Sequence, residues 1–216
     1  MTRLKFCGLT RPEDASHAAS VGATYAGVIL TESVRQVSSG RALEILAAAP
    51  NLKRVGVFRH DQPASILADA TGIGLDVLQL HGRFTSETVD QLREGFDGEM
   101  WAVIPFDATE PRLPESWSEL ADHVDAILVD TSVGGRSGGT GATFDWIRAE
   151  PLVRKLAERT EVILAGGLTP MNVGEAIRTL GPGVVDVSSG VESVPGVKDH
   201  HLMKAFAEAV RSASIV

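Results

Sequence analysis

Cysteine is almost missing from this sequence: among 216 residues only Cys7 is one. That excludes an internal disulfide framework and any metal site built from several cysteines, and it suits a reducing cytosol. Basic residues are outnumbered, 20 against 28 acidic ones, for a formal net charge of −8. Nucleic acid, whose phosphates demand a basic surface, is therefore a poor partner. An acidic total still leaves room for a local basic pocket that takes an anionic metabolite. No apolar run reaches the roughly 18 residues of a membrane helix, so no membrane partner is expected. The apolar stretch at the start is short and follows Arg3, so a signal peptide is not expected either. Linkers and low-complexity segments are also missing. What remains is a composition 44% apolar and 22% charged, enough for a sizeable core. A soluble cytoplasmic protein is expected, without long disordered stretches.

Short β-rich runs alternate with longer helical patterns. The strands read from the sequence are Leu4–Gly8, Tyr25–Leu30, Arg54–Phe58, Val77–His81, Met100–Pro105, Ala126–Asp130, Val162–Ala165 and Val184–Ser188. Most are continuous apolar stretches, such as Ala-Ile-Leu-Val, which is the mark of parallel strands covered on both faces. Helical segments fall between them: one opened by Pro12 and ended by Gly22, then Gly40–Ala49, Pro63–Thr71, Ser86–Glu94, Pro114–His123, Phe144–Arg159, Pro170–Leu180 and Lys198–Ser212. Eight strands alternating with eight helices predict one (β/α)8 barrel over residues 1–216, in preference to an open doubly wound sheet.

Such barrels carry their chemistry at the C-terminal ends of the strands. The residues there become candidates. Cys7 shares a strand face with Lys5, two residues earlier, while Phe6 points toward the helices. A lone cysteine is also what a small buried core residue looks like. A buried lysine beside it would favour the thiolate and make a competent base. Asp130 ends an apolar strand, where a carboxylate is costly unless paired or functional; a cap is the plainer role. Asp186, inside the eighth strand, is expected to be the buried partner of Lys5. Arg35 has the geometry to clamp a carboxylate in a bidentate way, or to be a solvated loop residue. His81 is a proton-shuttle candidate or a satisfied structural histidine. His200 and His201 read as surface residues, and two neighbours on a helix do not make a metal site.

Three glycine- and serine-rich loops converge on the same end. Residues 134–141 follow the sixth strand and include Gly139, Thr140 and Gly141; Gly166-Gly167 follow the seventh; Ser188-Ser189-Gly190 follow the eighth. Backbone N–H groups of such loops approach anions closely, and barrels commonly bind phosphate after strands 7 and 8. No GxxxxGK[ST] motif is present, so this is not a P-loop.

Lys5-Phe6-Cys7-Gly8-Leu9-Thr10 resembles the Lys-x-Cys-Gly-x-Thr opening of the phosphoribosylanthranilate isomerases of tryptophan biosynthesis. Further matches run in order along the chain: Val55-Gly56-Val57-Phe58, Gln79-Leu80-His81-Gly82, Val129-Asp130-Thr131, Gly138-Gly139-Thr140-Gly141 with Phe144-Asp145-Trp146, Leu164-Ala165-Gly166-Gly167-Leu168, 186–192 and 196–199. The resemblance implies an Amadori rearrangement of a phosphorylated aminosugar, N-(5-phosphoribosyl)anthranilate, to its open-chain ribulose form. It implies Cys7 as general base, Asp130 as general acid, Arg35 as holder of the anthranilate carboxylate, and the glycine loops as phosphate holders. Acid–base chemistry of this kind asks for no cofactor and no metal. Val34 stands where the family usually has proline, and the aromatic side of the pocket is thinner, so weaker packing against the anthranilate ring is expected. A related histidine-pathway isomerase resembles the chain less, because its strand-1 base is an aspartate. A non-catalytic barrel would not need both Cys7 and Asp130. A Cys–His hydrolase would need a histidine beside Cys7. The sequence is compatible with a monomer or a homodimer.

Overall fold

The apolar runs form eight parallel strands that close on one another. In the computed structural model, which describes residues 1–59, 62–82, 84–105, 113, 117–130 and 146–214, the strands are β1 (Arg3–Phe6), β2 (Tyr25–Ile29), β3 (Lys53–Phe58), β4 (Val77–Leu80), β5 (Glu99–Pro105), β6 (Ala126–Asp130), β7 (Glu161–Ala165) and β8 (Val184–Val187). They pair in sequence order as a closed barrel. The seam is made by β1 against β8, with Lys5 opposite Asp186 in register.

The helices are α1 (Pro12–Ser20), α2 (Ser39–Ala47), α3 (Pro63–Ile73), α4 (Ser86–Arg93), α5 (Trp117–His123), α6 (Trp146–Ala157), α7 (Val173–Leu180) and α8 (His200–Ala213). Local chemistry starts and stops them. Ser38 and Thr85 accept hydrogen bonds from the N–H groups of Arg41 and Thr88, each at 3.3 Å. Pro12 and Pro63 sit in first turns, where no N–H is needed. No described helix is long and apolar enough to cross a membrane.

Side chains alternate between two packed regions. Outward ones, such as Phe6 against Phe206 of α8, fill the layer between strands and helices. Inward ones, among them Tyr25, Val77, Trp101, Leu128 and Ile163, fill the barrel itself. The floor is closed by an edge-on Tyr25–Trp101 contact with centroids 4.8 Å apart, and by Arg3, which bonds both Tyr25 Oη and Glu161.

The sequence-read elements are recovered with shifted ends. β1 stops at Phe6, so Cys7 lies just beyond the strand. The larger difference is at 188–198. A 3-10 turn (Ser189–Val191) leads into a two-stranded antiparallel hairpin, β9 (Glu192–Val194) and β10 (Val197–Lys198), turned by Pro195-Gly196. Lys198, read as the first residue of the last helix, belongs to this hairpin; α8 begins at His200 with Asp199 as its cap.

Candidate active site

The inward row of each strand climbs from the packed interior to the mouth. Four rows end on chemically active groups: Lys5 is followed by Cys7, Gln79 by His81, Leu128 by Asp130, and Asp186 by Ser188. All four end groups line one cavity of about 200 Å³, together with Arg35 and the backbone of Gly166-Gly167. Cys7 and Asp130 come from strands far apart around the barrel, so they face the cavity from different sides. Gly139, Thr140 and Gly141 lie outside the described residues, as do Thr131 and residues 144–145 of the family-like motif.

Beneath Cys7 is a buried polar layer. Lys5, fully buried, donates to Gln79 Oε1 at 2.8 Å and lies 3.0 Å from Asp186 Oδ2. The pairing expected from the sequence is therefore present. Burial opposes the charge on Lys5, but Asp186 and the Cys7 sulfur outweigh it and hold its pKa above the ordinary lysine value. Burial pushes the Cys7 thiol up, and Lys5 only partly offsets that push. The expectation that Lys5 would favour the thiolate gives the right sign for the lysine but not for the sum. Desolvation of a residue only 6% exposed is the larger effect.

His81 sits just past β4, its backbone N–H bonded to the Phe58 carbonyl at 2.8 Å. Burial lowers its pKa, the Asp130 charge opposing and Arg59 reinforcing that shift. It therefore tends toward the neutral imidazole, able to donate one hydrogen bond and accept another. The glycine loops meet each other elsewhere on the cavity wall. A Cβ on Gly190 would run into the Leu168 carbonyl, so the loops after β7 and β8 are in direct backbone contact at the cavity wall.

Arg35 is held from two directions. Its Nε and Nη2 donate to the two oxygens of Glu192 at 2.8 and 2.7 Å, a bidentate pair. Its stem lies across Gly8, where a Cβ would fall 2.7 Å from Arg35 Cδ and where φ is +67°. Only glycine accepts both the left-handed backbone and the crossing side chain. Val34, by contrast, is 79% exposed. Arg35 is thus fixed by Glu192 and Gly8, and a proline beside it is not what orders it.

Lys198 completes this corner. It is buried, and its ammonium donates to Glu192 Oε1 at 2.8 Å, to the Ser188 carbonyl at 3.1 Å and to Ser188 Oγ at 3.4 Å. Burial works against the Glu192 charge, but hydrogen bonds from Arg35 and Lys198 hold its carboxyl below the ordinary value. Behind the hairpin, fully buried Asp14 of α1 takes Arg11 at 2.9 and 2.6 Å and His200 at 3.0 Å. His200, read as a surface residue, is in fact engaged: its ring stacks on His17 with centroids 4.1 Å apart.

The sequence matches the model of the N-(5'-phosphoribosyl)anthranilate (PRA) isomerase family over residues 4–209. The chain belongs to this family. Among curated relatives, the N-(5'-phosphoribosyl)anthranilate isomerase of Haloferax volcanii is 42% identical over 99% of this chain and 95% of its own. That of Rubrobacter xylanophilus is 40% identical over 98% and 100%. The crystal structure of phosphoribosyl anthranilate isomerase from Thermotoga maritima superposes with a TM-score of 0.85 at 33% identity, covering 98% of this chain and all of that one. A further isomerase structure, solved with reduced 1-(o-carboxyphenylamino)-1-deoxyribulose 5-phosphate, superposes at 0.81 with 31% identity, covering 98% of this chain and 100% of that one.

Against this phosphoribosylanthranilate isomerase background, Cys7, Arg35, His81, Asp130, Gly166-Gly167 and 188–190 all meet at one mouth. The residues for which the sequence suggested no role are Glu192 and Lys198. Both lay inside motifs that resemble the family, and the signal was a Pro-Gly pair between two short alternating runs, a hairpin signature.

Proposed function

We propose that this isomerase converts N-(5'-phosphoribosyl)anthranilate into 1-(2-carboxyphenylamino)-1-deoxyribulose 5-phosphate, as a step of tryptophan biosynthesis, with Asp130 as the acid and Cys7 as the base. The observation that carries the assignment is the opening of both groups onto one small cavity from separate strands, with a guanidinium and two glycine loops on its walls. Asp130 gives a proton to the furanose oxygen, and the bond from that oxygen to C1 breaks, leaving a protonated imine. The Cys7 thiolate takes the proton from C2, and the electron pair flows to the imine nitrogen, giving an enolamine. Ketonisation then places a proton on C1 and removes one from the C2 hydroxyl. No electrons leave the substrate, so the reaction asks for no redox cofactor.

Arg35 holds the anthranilate carboxylate with the guanidinium edge that Glu192 leaves open. The backbone of Gly166-Gly167 and Ser188-Ser189-Gly190, together with Gly139, Thr140 and Gly141, takes the phosphate, and His81 bonds a polar group of the sugar. Anchoring both ends fixes C2 between acid and base, which is the proximity contribution. The chain works as a single barrel domain in the cytoplasm, as a monomer or homodimer.

The test is the decay of anthranilate-type fluorescence when the protein meets freshly made phosphoribosylanthranilate. The wild type turns over. Cys7→Ser and Asp130→Asn each lose at least about 10²-fold in kcat, the usual worth of one acid or base. A variant that keeps its kcat removes that residue from the mechanism, and an inert wild type removes the reaction.

A further inference from the structure

Arg35 is paired bidentately with Glu192, and an ion pair so complete would ordinarily cancel the charge a substrate carboxylate is meant to meet. The structure offers a way out. Glu192 is shared: Oε1 takes both Arg35 Nε at 2.8 Å and Lys198 Nζ at 2.8 Å. Two cations thus face one carboxylate, and these three side chains together carry a net positive charge at the cavity wall. Lys198 is buried, with no exposed side chain and all three ammonium donors spent on Glu192 and Ser188, so it has no hydrogen left for a ligand. Arg35 is the more exposed of the two, its side chain 17% open, and its Nη1 bonds no described residue. The spare charge is therefore presented through Arg35.

We propose that Lys198 is a positioning residue for substrate specificity: by neutralising Glu192 from behind, it leaves the Arg35 guanidinium charged toward the aryl carboxylate while Glu192 still fixes its direction. The inference rests on the reading of Arg35 as the carboxylate holder. It explains why a cation is buried where it touches no substrate, since burying an ammonium is costly unless it is paired and used.

The experiment is equilibrium binding of two ligands to the full chain: reduced 1-(o-carboxyphenylamino)-1-deoxyribulose 5-phosphate and its phenylamino counterpart without the carboxylate. Lys198→Met weakens the carboxylated ligand by about tenfold or more and the carboxylate-free one by less than about threefold, as expected for loss of one charge-assisted contact. The double variant Lys198→Met/Glu192→Gln, in which Arg35 again has no anion to cancel it, recovers most of the lost discrimination. A structural role for Lys198 would instead weaken both ligands equally and make the double variant worse than the single one; either result overturns the proposal. Arg35→Met separates the two layers of argument. If it abolishes discrimination and Lys198→Met does not, the inference fails alone. If Arg35→Met leaves discrimination intact, the reading of Arg35 fails.

Discussion

Lys5 and Asp186 meet at 3.0 Å across the β1–β8 seam, where Asp186 lines the cavity. Both are buried: the two side chains are 0% and 8% open. Each makes the other tolerable in the barrel interior, and Asp186 Oδ1 has no hydrogen-bond partner among the described residues. Removing one partner leaves an unpaired buried charge, at a cost of roughly 3–5 kcal/mol. Lys5→Met and Asp186→Leu should each lose about that much in urea unfolding, while the double replacement loses clearly less than the sum. Additive losses would mean that the pair is not coupled.

As the proposed base, Cys7 should govern the pH dependence of the reaction. Its thiol pKa is raised above the ordinary value of 9.0 by burial. Below that raised pKa the thiolate is the minor form, and its fraction grows about tenfold per pH unit. The logarithm of kcat/KM should therefore climb with pH through the neutral range and level off only in alkaline solution. A profile flat from about pH 6 to 9 would show that proton removal does not wait for this thiolate.

Gly27, on the inward face of β2, leaves the room in which these groups stand. A Cβ there would lie 3.1 Å from Lys5 Cε and 3.2 Å from Cys7 Sγ. Gly27→Ala should leave the far-UV circular dichroism unchanged and cut kcat by about tenfold or more, because a base displaced by a fraction of an ångström loses alignment with its proton. Unchanged kcat would mean that Cys7 has slack in its position.

Acid should loosen the Arg35 corner. The Glu192 carboxyl is depressed below its ordinary 4.5 by Arg35 and Lys198, against the opposing effect of burial. A depressed acid contributes stability that is present above its unfolded value and is lost as pH falls through its folded value. The contribution should thus be whole at neutral pH, begin to fall near the ordinary 4.5 and be gone only below the depressed folded value. Glu192→Gln should be less stable than wild type at pH 7, and the gap should narrow in thermal melts as pH drops toward 3. A gap that stays constant would place the Glu192 effect in packing.

The barrel was legible because its strands are buried on both faces and its helices carry proline and serine starts. The place of Cys7 and Asp130 at the cavity mouth was legible because strand ends in this architecture converge there. What escaped was anything made by partners distant in the chain. Glu192 and Lys198 gain their meaning only when the β9–β10 hairpin folds over Arg35, more than 150 residues earlier in the sequence. His200 looked solvated because its partner, Asp14, sits on α1. The net pKa shift of Cys7 escaped for a similar cause: a neighbouring lysine is visible in the sequence, whereas the depth of burial that outweighs it is a property of the closed barrel.

The order of synthesis gives the β1–β8 seam and the Glu192–Arg35 corner a temporal meaning. Cys7 and Arg35 leave the ribosome well before Asp186, Glu192 and Lys198. A nascent chain that already holds seven strands still has no carboxylate for Lys5, no wall behind Arg35 and an unclosed sheet edge beside Cys7. The catalytic centre is then not a module that a partial chain can exhibit. It comes into being in the final step, when the closing contacts of greatest sequence separation form, so that competence for the reaction and completion of the fold become the same event.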